Sequence, residues 1–227
     1  MISMKMRHEF KHIINFHDSL VLESRLRKIL KADANSNAHG EYRVRSLYFE
    51  TPNDRALMDK INGVNRREKF RIRYYNDDLS FIRLEKKVKI NGLCNKQSEL
   101  MSKDEVESIL LGEYDFLLHS NKKLFNELYS KMNGQLLRPK VIVEYMRKPF
   151  IYPVGNVRIT IDYDIRTGIH NLDFLNTEST LLNAADEYGV FEVKYDEFIP
   201  EFIKKLIHLD FRPTSAYSKY AVARRLD

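Results

Sequence analysis

The chain has 227 residues, 43% of them hydrophobic, enough to build a sizeable core and to exclude disorder as its overall state. Thirty-eight Lys and Arg against 32 Asp and Glu leave a formal net charge of +6, which favours anionic partners. A lone Cys94 excludes an intramolecular disulfide, nothing near the start has signal-peptide character, and no window approaches the ~18 apolar residues of a membrane span, so the expectation is a soluble, cytoplasmic chain.

In chain order, period-2 alternation predicts a first strand over residues 4–14. A helix follows over 18–31, with Asp18 as its cap and Leu22, Leu26, Ile29 and Leu30 as its apolar stripe. Strands are expected over 41–49, 66–75 and 80–90; Asn76-Asp77-Asp78 turns the second into the third, and Asn91-Gly92 marks another turn after it. Ser102 and Glu105 stand three apart as a capping box for a helix over 102–111, and Leu124, Phe125, Leu128, Tyr129 and Met132 give a second amphipathic helix over 120–132. Strands over 140–150 and 157–163 flank a turn at 153–156, and 190–195 is a seventh. Pro200 opens a helix to 209, and 215–225 is helical after Pro213. These elements make an α+β chain built on an antiparallel meander and read as one domain over 1–227.

Alternate residues of a strand face opposite sides, so parity assigns the charges to faces. Arg7, Glu9 and Lys11 share one face of the first strand, and Arg67, Lys69, Arg71 and Arg73 share a face opposite Phe70, Ile72 and Tyr74. Arg83, Glu85, Lys87 and Lys89 oppose Ile82, Leu84, Val88 and Ile90. Arg158, Thr160 and Asp162 oppose Val157, Ile159 and Ile161, while Glu192 and Lys194 oppose Phe191, Val193 and Tyr195. Strand by strand this is what a half-solvated sheet looks like. Yet Glu-x-Lys recurs at Glu9/Lys11, Glu85/Lys87 and Glu192/Lys194, and the charged faces are rich in Arg. A sheet closed with its charged face inward accounts for both, and like charges so gathered require a polyanion between them. A polyphosphate suits such a space, because Arg binds phosphoryl oxygens bidentately and Lys neutralises them as a point charge. Carboxylates among phosphate ligands hold a divalent cation, and Glu192 is the candidate, the alternative being a simple Glu192/Lys194 ion pair.

Several landmarks now combine in order and spacing. They are Glu9-Phe10-Lys11, the run from Ser46 to Pro52 leading into Asn53 to Leu57, Arg71-Ile72-Arg73-Tyr74-Tyr75, Leu84-Glu85-Lys86-Lys87, Tyr145-Met146-Arg147, the run from Val157 to Asp162, Phe191-Glu192-Val193-Lys194 and Ser218-Lys219-Tyr220. Over nearly its whole length the chain resembles the VTC-type polyphosphate polymerase domain, a branch of the triphosphate tunnel metalloenzyme superfamily. The resemblance implies a closed eight-stranded antiparallel β-barrel, the triphosphate tunnel, with short helices packed outside and a C-terminal helix at its mouth. It implies that Lys11, Arg71, Arg73, Lys87, Arg147, Arg158 and Lys219 hold phosphates in catalysis and that Glu192 holds Mn²⁺ or Mg²⁺. Lys96, Glu9, Glu85, Lys194 and Ser218 join the substrate-binding set, and Tyr145 stacks on a nucleobase. The implied reaction moves the γ-phosphoryl group of ATP onto a growing polyphosphate chain and releases ADP. ATP and inorganic polyphosphate are then the partners, nucleic acid is not, and a membrane-protein recipient remains compatible with the sequence.

Four other readings compete. Relatives of the family that hydrolyse triphosphates open with Glu-x-Glu-x-Lys, and here Arg7 stands at the first acidic position of Arg7-His8-Glu9-Phe10-Lys11, which favours transfer over a metal-dependent triphosphatase. A non-catalytic polyphosphate-binding module would carry the same residues. His8-Glu9-Phe10-Lys11-His12 matches the H-E-x-x-H pattern of zinc peptidases, which needs a helix to put both His on one face; alternation predicts a strand. The basic and aromatic run 66–75 lacks a nucleic-acid recognition motif.

Overall fold

The computed structural model describes residues 6–168, 170–185, 188–210 and 212–226. Its frame is one twisted antiparallel sheet. In chain order the strands are β1 (His8–Ile14), β2 (Lys31–Ala32), β3 (Tyr42–Glu50), β4 (Arg66–Tyr75), β5 (Ile82–Ile90), β6 (Leu93–Met101), β7 (Arg138–Tyr152), β8 (Val157–Gly168), β9 (Leu182–Asn183) and β10 (Gly189–Tyr195). Eight of them form the path β1-β10-β8-β7-β3-β4-β5-β6, while β2 pairs with β7 and β9 with β8. The expected turns hold. Asn91 and Gly92, at φ 47° and 84°, form a two-residue hairpin between the paired Ile90 and Leu93, and only residues tolerant of positive φ fit there.

The closed barrel is corrected. Among the described residues no ladder joins the edge strands β1 and β6; an isolated bridge from Arg7, just before β1, to Cys94 links them. The reason lies in the C-terminal segment, which takes up the free edge of β1: Ser215 N donates to Lys11 O at 2.7 Å, and His12 Nδ1 lies 2.7 Å from Arg212 O. The sheet therefore curls around a hollow without sealing it. The sequence-expected start of β1 at residues 4 and 5 lies outside the described residues.

Helices cover the apolar face. Helix α3 (Lys103–Leu111) and α4 (Lys123–Gly134) set Val106, Ile109, Leu124, Phe125 and Leu128 against Phe70, Ile72, Tyr74, Ile82 and Leu84. Across the sheet, α1 (Phe16–Arg27) and α5 (Glu201–Leu206) set Leu22, Leu26 and Ile203 against Ile159, Ile161, Phe191 and Val193. The Ser102–Glu105 capping box forms as expected. The cap of α1 is Asn15 rather than Asp18; Asp18 instead accepts from the Asn15 N–H at 3.0 Å, as the far half of a capping box.

Periodicity misses two elements that matter for the site. Strand β6 carries polar residues on both faces, so it shows no alternation. Helix α2 (Arg55–Ile61) begins at Asp54, whose side chain makes no capping bond; the N–H groups of Ala56 and Leu57 are met by the Glu50 carboxylate from the end of β3. Glu50 also accepts from Tyr220 on α6 (Lys219–Ala223), which joins the last helix to the second. Tyr220 and Ala223 pack on Val44, Val141 and Val143, so α6 fills one end of the hollow from inside. Gly189 lets β10 approach β8, since a Cβ there would stand 2.4 Å from Asp162 O. Among the described residues no helix is long and apolar enough to cross a membrane.

Candidate functional site

The charged faces assigned by parity converge on the hollow. It is a cavity of about 390 Å³ lined by Arg7, Lys11, Lys69, Arg71, Arg73, Lys87, Lys96, Arg147, Arg158, Lys194 and Lys219, with Glu9 and Glu192 as its lining carboxylates. Tyr48, Tyr75, Tyr145 and Ser218 add hydroxyl groups to the wall. Of the site residues named from sequence, only Glu85 does not line it.

Glu85 lies beneath the wall instead, 1% exposed, as the common counter-ion of three cations. Arg71 Nη2 and Lys96 Nζ reach it at 2.6 and 2.7 Å, and Arg73 Nη1 stands at 3.9 Å. Burial opposes its ionisation, but Arg71, Arg73 and Lys96 together hold its carboxyl well below the usual range. Arg73 Nε donates to Ser46 Oγ at 2.8 Å, and Arg71 Nη1 donates to the Tyr48 hydroxyl at 2.9 Å, so both forks are fixed before any ligand arrives.

A second counter-ion was not singled out from sequence. Asp162, 0% exposed, accepts from Arg147 Nε and Nη2 at 2.6 and 2.7 Å and pairs with Lys219. Burial pushes its carboxyl up, yet Arg147 and Lys219 bring it down to about 2. Its strand parity with Arg158 was the available signal. Tyr145 is 3% exposed, with Lys219 Nζ 4.7 Å and the Arg147 guanidinium 5.2 Å from its ring centre. Cations thus occupy the ring face that base stacking would use. Arg158 sits at one rim, held by Asp33 at 3.0 Å and the Tyr42 hydroxyl at 2.7 Å. Ser218 caps α6 and so places Lys219.

Glu9 and Glu192 form the remaining cluster. Lys11 Nζ bridges them, 3.4 Å from Glu9 and 3.1 Å from Glu192; Lys87 holds Glu9 at 2.7 Å, and Lys194 contacts Glu192 directly. Burial and mutual repulsion disfavour the charge on Glu9, but Lys11, Lys87 and Lys194 prevail and hold it below the ordinary range. Glu192 is likewise held well below it, burial being outweighed by Lys194, Lys11, Lys219 and Lys87. No group of three or more His, Cys, Asp or Glu side chains suited to a metal occurs among the described residues. Two adjacent carboxylates fit Mg²⁺ or Mn²⁺ when phosphate oxygens complete the shell, the usual arrangement where a small hard cation rides on its substrate. The zinc-peptidase pattern does not form: its residues lie on β1, where His8 stacks on Tyr195 with centroids 4.9 Å apart and His12 meets the C-terminal backbone.

Two unanticipated groups are strongly perturbed. Lys69 is pushed down to about 7, first by burial and then by Lys87, Lys11 and Arg71. Tyr48 is drawn to about 7 because Arg71, Lys69 and Arg73 outweigh its burial. Lys194 falls to about 8 through burial, against the pull of Glu192 and Glu9. Between these values and the ordinary 10.0 of Tyr and 10.5 of Lys, the unfolded chain binds more protons than the folded one at all three positions. Stability must then rise with pH across that interval. The ligand-free protein is expected to melt at a higher temperature at pH ~9.5 than at pH ~7, as differential scanning fluorimetry would show.

The VTC domain family model matches residues 6–226. No curated protein matches the chain in sequence. Among solved structures, a Hippeastrum protein described as a candidate adenylyl cyclase with a dominant triphosphatase activity is similar at a TM-score of 0.56 and 14% identity, over 98% of this chain and 96% of that one. A Pyrococcus horikoshii protein is similar at a TM-score of 0.51 and 10% identity, over 97% and 99% of the two chains. A candidate adenylate cyclase from Bacillus halodurans is similar at a TM-score of 0.50 and 14% identity, over 88% and 90%. Identities this low speak for a shared fold alone. Sequence carries the kinship further: with a match running from the first described residue to the last, the chain belongs to the VTC domain family.

Proposed function

We propose that the chain is a triphosphate tunnel enzyme that transfers the γ-phosphoryl group of ATP to the end of a polyphosphate chain. The observation that supports this most is the imbalance in the hollow: eleven cationic side chains line it beside two carboxylates, with Glu85 and Asp162 beneath. Such a space is costly to keep empty and complementary to a linear polyanion.

Arg71, Arg73 and Arg147 are held in place by buried partners, so the N–H groups those partners leave over can meet phosphoryl oxygens without the guanidinium reorganising. Lys11, Lys87, Lys96 and Lys219 add point charges around them. The terminal oxygen of the acceptor chain forms a new bond to the γ-phosphorus while the bond to the β–γ bridging oxygen breaks, leaving ADP. Catalysis is then positioning in line plus stabilisation of charge on the transferred group, with no covalent nucleophile. A divalent cation held by Glu192 and Glu9 supplies neutralisation of phosphate charge when bound. Lys11 and Lys194 steady those carboxylates in its absence.

Incubation of the protein with ATP and Mn²⁺, followed by phosphorus NMR, is expected to show polymer signals together with ADP. Inorganic phosphate without polymer would reject transfer in favour of hydrolysis, the reading that the activity described for the Hippeastrum protein favours. Binding without turnover would leave a polyphosphate-binding module. Arg71→Ala and Arg73→Ala should each weaken tripolyphosphate binding by about 1.5 to 3 kcal/mol, roughly one to two orders of magnitude by calorimetry.

A further inference from the structure

Lys69 is the cation of the hollow that the carboxylates leave out. Among the described residues, every other cationic side chain lining the cavity has a carboxylate oxygen within 4.0 Å. The Lys69 amine instead stands 5.5 Å from the ring centres of both Tyr48 and Tyr220. It also lines a second cavity of about 100 Å³, which opens between α2 and residues 215–218. There Lys60, Arg67 and Lys89 likewise have no ion pair among the described residues, because the two acids of that wall are engaged elsewhere: Glu9 by Lys87, and Glu68 by Lys86 and Lys131. Lys60 is held below its usual range by burial and then by Arg67, Lys11 and Lys89, a second sign of crowded, uncompensated charge.

We propose that Lys69, with Lys60, Arg67 and Lys89 behind it, is a further phosphate subsite that engages linear phosphate chains longer than a triphosphate. The proposal rests on the tunnel reading above and names the part of the ligand that reading leaves unplaced. Alternate residues of a strand are about 6.8 Å apart, so Arg67, Lys69, Arg71 and Arg73 form a ladder of about 20 Å that runs from the second cavity into the hollow. A triphosphate held at the Arg71–Arg73 end leaves the Lys69 end for the phosphoryl groups that follow. Tyr48 on β3, Arg71 beside Lys69 on β4, Lys87 on β5 and Tyr220 on α6 surround the amine within the hollow. Lys11 and Glu9 on β1 and Lys60 on α2 face it from the second opening. With cations dominating this shell, an arriving phosphoryl group supplies the missing counter-charge and draws a proton onto Lys69.

The test is isothermal titration of the full chain at neutral pH with tripolyphosphate and with long-chain polyphosphate, in buffers of different ionisation enthalpy. The unaltered protein should take up protons with the long chain and fewer with tripolyphosphate. Lys69→Met should weaken the long chain by about tenfold more than tripolyphosphate, the loss of one charge-assisted contact. Lys69→Arg, which stays charged, should keep long-chain affinity and lose that excess proton uptake. Equal weakening of both ligands by Lys69→Met, or no weakening of either, would overturn the subsite while leaving the tunnel reading in place. Failure of the unaltered protein to bind either ligand would overturn both.

Discussion

Glu192→Gln is expected to lower divalent-metal-dependent turnover by about two orders of magnitude or more, since a bound cation contributes several kcal/mol of charge stabilisation and about 1.4 kcal/mol is tenfold in rate. The same change should not weaken tripolyphosphate binding. Glu192 is buried and ion-paired with Lys11 and Lys194, so neutralising it adds to the positive potential of the cavity. The split separates a metal-holding carboxylate from a structural one: a variant that turns over normally would remove Glu192 from the metal role, and one that loses binding and turnover together would mark it as a scaffold for the lysines.

Asp162→Asn should have the largest effect on stability. It leaves Arg147, 8% exposed, without the carboxylate that takes both arms of its fork, and removes the partner of Lys219 as well. Breaking a buried pair by removing one member costs about 3 to 5 kcal/mol, because the other charge stays buried and uncompensated. For a chain of this size that is a fall in melting temperature of roughly 6 to 20 °C. Saturating tripolyphosphate should recover part of the loss, since its oxygens can serve the freed cations and binding stabilises the folded state by mass action. A melting temperature unchanged by the substitution would contradict the counter-ion role.

The strands and their facing were legible because each carries a one-sided pattern: Arg67, Lys69, Arg71 and Arg73 against Phe70, Ile72 and Tyr74 leaves little freedom in register. Strand β6 was not, since Cys94, Lys96 and Ser98 alternate with Asn95, Gln97 and Glu99, and both faces are polar. Helix α2 escaped because its cap comes from Glu50 across a turn, outside the local signals of a helix start. Closure failed for a non-local reason as well. Nothing in β1 or β6 says that the segment around Arg212 to Ser215 will occupy the edge that pairing would need.

Within the site, sequence parity located the cations but not their bookkeeping of charge. That Glu85 underlies Arg71, Arg73 and Lys96, that Asp162 underlies Arg147 and Lys219, and that Lys69 has neither depends on which strands become neighbours. Lys69 carried one usable hint: it sits two residues before Arg71 on the same face.

The most direct measurement is the crystal structure of the protein with tripolyphosphate. Phosphorus atoms inside the curled sheet, within hydrogen-bonding reach of Arg71, Arg73 and Arg147, are the predicted result. Phosphate seated on the outer, helix-covered side, with the hollow holding only solvent, would contradict the account.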